Sequence, residues 1–201
     1  MQRRCFFASF FPFIALLATS LPLLSLQFPQ GQDWIFELVR VAEFKSALLN
    51  GQIPPYWGEN LYKGYGSPIF LFYAPLYSFV SSLCSYVTGS IAAGCSLALL
   101  LFSIVGVFSM KLLVEETIGE KTSQSETASR IAASFFILNP YLIGDKLFRN
   151  ANAEYAAICL FPLALYGLLV VRRKPKRGAL LLSAGLGLTI LAHNLTALIA
   201  F

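Results

Sequence analysis

Apolar residues in this chain form long blocks that are separated by short polar segments. A helix that spans the hydrocarbon core of a membrane needs about 20 apolar residues, and most of the blocks reach or approach that length. The blocks cover residues 6–26, 69–87, 91–114, 131–144, 155–171 and 178–201. The pattern predicts an all-α protein, a polytopic bundle of transmembrane helices in a single domain over 1–201.

The composition agrees with a membrane protein. Of the 201 residues, 57% are hydrophobic and 12% are charged, whereas a soluble domain carries about 25% charged residues. The net charge of +5 does not indicate a nucleic-acid partner, because Lys and Arg stand in short clusters between apolar blocks, as orientation signals do. The four cysteines lie within apolar stretches without metal-type spacing, which indicates small buried side chains.

The two ends of the chain carry separate predictions. Arg3 and Arg4 before an apolar run resemble a signal peptide. The run is long for such a peptide and no small-x-small cleavage site follows, so an uncleaved first span is favoured. Phe201 falls inside an apolar run with no helix stop, so we expect the chain to end within a helix of a longer protein.

The basic residues predict the orientation. With a cytoplasmic N-terminus and spans at about 6–26, 91–114, 131–144, 155–171 and 178–201, ten basic residues lie inside and five outside. If 69–87 also crossed, the basic run 172–177 would lie outside, against the positive-inside rule. We therefore interpret 27–90 as an outer loop with surface helices, in which 69–87 is re-entrant or interfacial. A bacterial inner membrane is the expected location.

The first outer loop begins with an amphipathic pattern over 33–50. Apolar positions fall near one helical face, while Glu37, Arg40 and Lys45 lie elsewhere. Gly51 and the Pro54–Pro55 pair end the pattern. The sequence predicts a helix lying on the outer surface of the membrane.

Asp33 stands where the chain leaves the first predicted span. It has two interpretations: an acid at the positive end of a helix, or a boundary carboxylate that binds a metal ion or takes a proton from an acceptor hydroxyl. Further along, Tyr65 lies in a segment rich in Gly, Tyr and Trp over 57–67. Such aromatics stack on sugar rings or lie at lipid headgroups, and the sequence leaves both uses open.

The second outer loop, 144–154, brings four charged residues to the same predicted side: Asp145, Lys146, Arg149 and Glu154. They form either an ordinary solvated turn or a site in which the cations hold phosphate and the acids hold a metal or a proton. His193 and Asn194 near the outer end of the last block form either a helix–helix hydrogen bond or part of a pocket on that side.

An ordered set of motifs runs through the chain: GQDWIFELVR, GQIPPYW, GYGSPIFLFYAPLYS, NPYLIGDKLFRNANAEYAA, FPLALYGL and LAHNLTALIA. This set resembles the bacterial membrane proteins that carry the pyruvoyl-tetrahydropterin-synthase-related membrane domain. That family is in turn similar, in layout, to the multi-spanning glycosyltransferases of the C type. Their activity, sugar transfer from polyprenyl-phosphate donors outside the cytoplasm, is what the resemblance implies for this chain.

The resemblance also implies residue roles. Asp33 matches the catalytic or metal-orienting acid of the first loop, Asp145 or Glu154 the acids of the second, Arg149 the donor-phosphate ligand, and His193 a pocket residue. Gln32 stands where many such enzymes have a second acid, which weakens metal binding more than base catalysis. Glu37, one helical turn after Asp33, restores a pair of carboxylates.

These expectations define candidate sites and their rivals. Asp33 and Glu37 are the catalytic candidates, and Asp33 with Asp145 the candidate ligands of a divalent cation. The candidate substrate-binding residues are Tyr65, Lys146, Arg149, Glu154, His193 and Asn194. The expected partners are membrane lipid and a polyprenyl-phosphate-linked sugar, with no nucleic acid. A non-catalytic scaffold or a transporter or flippase subunit is the alternative, although transporters usually place their charges at mid-membrane.

Overall fold

The computed structural model describes the backbone of residues 2–120 and 122–200 and the side chains of residues 10–120 and 122–199. In that part of the chain all regular structure is helical, apart from one isolated bridge between Gly58 and Ser67. The predictions of orientation and of the chain end use some residues that lie outside the described part of the chain: Lys121, Phe201 and the side chains of Arg3 and Arg4. The helices are α1 (Gln2–Leu24), α2 (Trp34–Leu49), α3 (Ile69–Phe72), α4 (Leu76–Thr88), α5 (Ile91–Ile118), α6 (Ser123–Ile137), α7 (Pro140–Ile143), α8 (Asn152–Val171), α9 (Pro175–Ala192) and α10 (Asn194–Ala200).

Within the part of the chain that the structure describes, two helices are long and apolar enough to cross a membrane, namely α5 and α8. A third crossing arises if α6 and the segment Pro140–Arg149, which bend by 45° at their junction, act as one span. The predicted all-α fold is confirmed for the described residues and the two apolar helices agree with a membrane protein, while the five-span layout stays a prediction.

The helix predicted over 33–50 is present as α2. It begins directly after Asp33, and its C-cap Asn50 is followed by Gly51 in the left-handed region with φ +81°. Glycine adopts this conformation without the penalty that a Cβ would bring. Val41, Phe44 and Ala47 are buried on the face that packs against α4, while Ile35, Phe36 and Leu49 are exposed.

The block 69–87 is two short helices rather than one. After α3, Tyr73 takes an extended conformation and Pro75 precedes α4. The serine-rich face of α4 lies against α5, where a Cβ at Gly94 would meet the backbone of Ser81 and Ser85. Small residues at this crossing let the two helices approach closely.

Two predicted spans differ from the observed helices because a side chain caps a new helix within each. The block 131–144 is broken at Asn139, whose side chain accepts a hydrogen bond from the Tyr141 backbone N–H at 2.9 Å, with Pro140 opening α7. The block 178–201 is broken at His193, which is extended and whose Nδ1 lies 3.3 Å from the backbone nitrogen of Thr196.

The centre of the fold is built around α8, which packs extensively against α5 and α9. Glycines at the α8–α9 crossing, Gly167 and Gly185, stand where a Cβ would overlap the backbone of the facing helix. On the α5 side, Ser103 and Tyr155 share a buried hydroxyl–hydroxyl hydrogen bond of 2.6 Å. This packing fixes the first residues of α8, which belong to the site described next.

Candidate functional site

The chain leaving α1 and the chain leaving α7 are joined by backbone hydrogen bonds. The Gln32 N–H donates to the Phe148 carbonyl at 2.8 Å, and the Asp33 N–H donates to the Arg149 carbonyl at 3.1 Å. The two segments that sequence analysis singled out therefore lie side by side at one end of the helices.

Asn150 completes this junction. Its side-chain Oδ1 accepts a hydrogen bond from the Gly31 N–H at 2.7 Å, and the residue is fully buried in a left-handed conformation with φ 57°. Asn tolerates this conformation better than most residues. A Cβ at Gly31 would overlap Asn150 Oδ1 and the Phe148 carbonyl. The close approach of the two segments therefore depends on glycine at position 31 and on Asn150.

Beside the junction lies a cavity of about 300 Å³, which we call the site cavity. Five of the predicted site residues line it: Asp33, Glu37, Arg149, Glu154 and His193. The other lining residues are Phe36, Arg40, Tyr73, Asn150 and Ala151. Residues from α2, from the 149–154 segment, from the α3–α4 connection and from the α9–α10 break thus meet around one polar space.

Asp33 occupies the N-cap position of α2 without capping the helix through its side chain. Its backbone carbonyl accepts from the Glu37 N–H at 3.0 Å, while its carboxylate is exposed at the cavity. Its position at the positive end of α2 agrees with the simpler interpretation of this acid, although its side chain makes no hydrogen bond to the first turn. The carboxylate remains free for a group that enters the cavity.

Glu37 has a different environment, since its side chain is only 2% exposed and forms an ion pair with Arg40. The Arg40 guanidinium stacks on the Tyr73 ring, 3.5 Å from the ring centroid. Burial raises the pKa of Glu37 above its ordinary value, and the neighbouring Arg40 opposes that shift. Glu37 is thus held in place by its neighbours, which suits positioning better than proton exchange with an incoming hydroxyl.

Arg149 is the cation on the opposite wall. Its Nη1 lies 2.5 Å from the buried Asp145 carboxylate and 3.3 Å from the Tyr141 hydroxyl, and its Nη2 lies 3.7 Å from Glu154. The Tyr141 hydroxyl and a Glu154 oxygen are also hydrogen-bonded at 2.5 Å. With 47% of its side chain exposed, Arg149 is oriented by its carboxylates and still open to the cavity.

His193 reaches the cavity because the helix breaks at this residue. Its Nδ1 lies 2.8 Å from Thr196 Oγ1, within the first turn of α10. This contact to the chain's own α10 fixes the ring at the cavity wall, and it differs from the helix–helix hydrogen bond considered from the sequence.

Three of the predicted substrate-binding residues lie away from the cavity lining. Lys146 is buried, with its Nζ 3.3 Å from Ser20 Oγ and 5.5 Å from the centre of the Tyr155 ring. Tyr65, in the segment 57–67, is 86% exposed, and Asn194 is exposed, with its amide nitrogen 3.5 Å from the Phe72 carbonyl. Their proposed roles stay predictions that the cavity geometry does not support.

The predicted metal ligands are not grouped. Asp33 lines the site cavity, whereas Asp145 is fully buried against Arg149 and is not part of the lining. Over residues 10–120 and 122–199, whose side chains the structure describes, no three His, Cys, Asp or Glu side chains are placed to hold a metal ion together. The divalent cation therefore stays a prediction.

Sequence reasoning missed Arg40, Tyr73 and Asn150 as members of the site. Arg40 had a usable signal, because Asp33, Glu37 and Arg40 are spaced i, i+4 and i+7 and so share one face of α2. Tyr73 and Asn150 had none, since they reach the cavity through tertiary packing of distant segments.

The arrangement combines an open carboxylate, an oriented arginine and an apolar rim that includes the exposed ring of Phe36. Such a set can take a proton and hold an anionic oxygen in the same space. Comparisons with protein-family models, with curated proteins and with solved structures found no match.

Proposed function

We propose that this chain is a glycosyltransferase-like membrane protein that transfers a sugar from a polyprenyl-phosphate donor at the outer membrane face. The observation that carries the proposal is the shared cavity of Asp33 and Arg149, which places a free carboxylate and an oriented cation at the point where two loops meet. Sequence resemblance to the C-type enzymes, as described above, motivates the substrate class.

In the proposed reaction, the acceptor hydroxyl attacks the anomeric carbon of the donor sugar. The bond from that carbon to the phosphate oxygen breaks, and polyprenyl phosphate leaves with the bonding electron pair. Asp33 takes the proton from the hydroxyl, and Arg149 stabilises the charge on the leaving phosphate.

Apolar surface beside the cavity suits a lipid-borne donor. Phe36 lines the cavity and is 67% exposed, and Leu71 and Phe72 of α3 are exposed as well. A polyprenyl tail would lie along such side chains while its phosphate–sugar head occupies the polar space. Free sugar nucleotides would gain nothing from this apolar rim.

The membrane layout belongs to the same proposal. It has five spans, a cytoplasmic N-terminus and a re-entrant segment 69–87, in a bacterial inner membrane. Single cysteines introduced at Glu59 and Gln124 test it, because the layout puts them on opposite sides. A membrane-impermeant maleimide added to intact cells should label the first position alone, and labelling of both or of the second alone contradicts the layout.

The transfer activity is tested by Asp33→Asn in the full-length protein, assayed with a panel of polyprenyl-phosphate hexoses and pentoses. Loss of a general base typically lowers the rate by about 10²–10⁴-fold. Glu59→Gln is the matched control, since Glu59 is an exposed acid of the same loop outside the cavity lining. Equal transfer by the wild type and Asp33→Asn would remove Asp33 from the mechanism.

A binding measurement separates the enzyme from a non-catalytic scaffold. A photoreactive polyprenyl phosphate should crosslink to the wild type and to Asp33→Asn, and much less to Arg149→Gln. If the wild type binds this probe and transfers no sugar from any donor in the panel, the protein is a non-catalytic scaffold and not an enzyme.

A further inference from the structure

A second and larger cavity lies at the other end of α8. It has a volume of about 550 Å³, and we call it the far cleft. It is formed where α5 and α6 connect and where α8 and α9 connect, at the opposite end of the 20-residue helix α8, which is about 30 Å long. Its lining residues are Lys111, Leu112, Glu115, Glu116, Gly119, Glu120, Ser125, Glu126, Tyr166, Val170, Arg173, Lys174 and Arg177.

Most of the acids in the far cleft already have cationic partners. Lys111 Nζ lies 3.1 Å from Glu115. Across the cleft, Arg173 Nη1 lies 3.4 Å from Glu116 and ties the α8–α9 connection to α5. Glu126 is likewise paired with an arginine one helical turn away on α6. These pairs neutralise the acids and leave Glu120, exposed at the rim, as the remaining one.

Two cations in the lining remain without an acidic partner among the described residues. Lys174 and Arg177 form none of the ion pairs found there. Both are exposed and stand on the same wall, three residues apart at the start of α9. Two neighbouring cations that no carboxylate satisfies are suited to an anionic oxygen group such as a phosphate.

The rest of the lining indicates that this phosphate belongs to a lipid. The far cleft lies at the ends of the two most apolar helices, and its polar rim continues into Leu112 and Val170. One turn from Leu112 on α5, Phe108 is exposed on the helix surface. A soluble phosphate would leave this apolar path unused, whereas an acyl chain can follow it into the membrane.

We propose that the far cleft binds the headgroup of an anionic phospholipid, with Lys174 and Arg177 contacting its phosphate and an acyl chain along Leu112 and Phe108. Basic pockets between transmembrane helices recognise anionic headgroups in this way. The site is separate from the site cavity, and it does not depend on sugar transfer.

The test measures lipid binding to the full-length protein in detergent by native mass spectrometry, with phosphatidylglycerol and phosphatidylcholine as probes. The double variant K174Q/R177Q should bind phosphatidylglycerol about tenfold more weakly than the wild type. The control R172Q/K176Q removes the same charge from the same connection, outside the lining, and should bind as the wild type does. Phosphatidylcholine should bind weakly to all three.

Three results would overturn the proposal. Equal weakening in both double variants would mean diffuse attraction to the basic segment, and equal binding of the two lipids would mean that the headgroup charge is not recognised. Displacement by glycerol 3-phosphate at the concentration of the lipid would identify a soluble phosphate ligand instead. If the double variants do not fold, the single variants K174Q and K176Q provide the same comparison with one charge each.

Discussion

The site cavity and the far cleft lie at opposite ends of α8, and both are lined by acids and bases. The solvent exposure of an ion pair in each differs. In the site cavity, the Glu37 and Arg40 side chains are 2% and 13% exposed. In the far cleft, Glu115 and Lys111 are 31% and 34% exposed. The Glu37–Arg40 pair is thus buried, whereas the Lys111–Glu115 pair is open to solvent, as is the Arg149–Glu154 pair of the site cavity with 47% and 22% exposure.

This difference has an energetic meaning. A solvated ion pair contributes about 0–1 kcal/mol, whereas a buried pair loses several kcal/mol of hydration per ion and regains it only through close partners. A bundle that needed only stability would gain as much from apolar side chains at these positions. We therefore take the buried Glu37–Arg40 pair as a feature of the site, and the pairs of the far cleft as features of a solvated connection.

The largest expected effect comes from removing one half of the buried pair. Arg40→Met should destabilise the protein by about 3–5 kcal/mol at neutral pH, because it leaves the Glu37 charge buried without its partner. Thermal unfolding of the detergent-solubilised protein, followed by circular dichroism, measures this change.

Lys111→Met is the matched control at the far cleft. It makes the same kind of substitution in an exposed pair and should cost less than about 1 kcal/mol. Similar losses in the two variants would abolish the contrast between the two ends.

The next effect tests the junction that creates the site cavity. Asn150→Ala removes the acceptor of the Gly31 N–H and places alanine in a left-handed conformation. We expect a loss of about 1–3 kcal/mol, the usual cost of an unsatisfied buried donor. Asn150→Gly, which relieves the backbone conformation but not the hydrogen bond, should recover only part of it. Full recovery by glycine would show that the hydrogen bond contributes nothing.

The comparison also shows which features local sequence can reveal. The helix α2 was predicted from 33–50 because periodicity, Gly51 and the two prolines all act within a few residues of one another. The grouping of Asp33 with Arg149 followed from charge counting, since both loops had to lie on one side of the membrane. These features depend on the local residue pattern and on the net charge of the segments that connect the helices.

The features that sequence reasoning missed depend on single side-chain contacts. The run 178–201 is mostly apolar, and only the placement of His193 against Thr196 shows why the helix breaks there. The burial of Lys146 next to Ser20 likewise joins residues more than 100 positions apart. No periodicity or charge count contains such contacts, so nothing in the sequence indicates that the Lys146 side chain is buried among the helices.

A smaller effect concerns pH. Because the pKa of Glu37 is raised in the folded state above its ordinary value of 4.5, the folded protein holds this proton more tightly than the unfolded chain. The resulting stability is present below about pH 4.5 and is lost as the pH rises through the folded pKa. Glu37→Gln should therefore unfold with a flatter pH dependence than the wild type, and Arg40→Met with a steeper one.

Unfolding temperatures measured across the acidic range up to neutral pH provide this comparison. The difference between each variant and the wild type isolates Glu37 from the other titrating groups. Parallel curves for the wild type and Glu37→Gln would mean that Arg40 fully offsets the cost of burial.

The smallest effect belongs to the exposed pair between Arg173 and Glu116, which lie 3.4 Å apart across the far cleft. A double-mutant cycle with Arg173→Gln and Glu116→Gln should give a coupling below about 1 kcal/mol. The coupling should vanish in about 1 M salt, where the Debye length falls to roughly 3 Å. The Glu37–Arg40 coupling should persist there, because buried charges are screened much less. A salt-resistant Arg173–Glu116 coupling would mean that the far cleft shields its ion pairs as the site cavity does, and the contrast between the two ends would then be one of position alone.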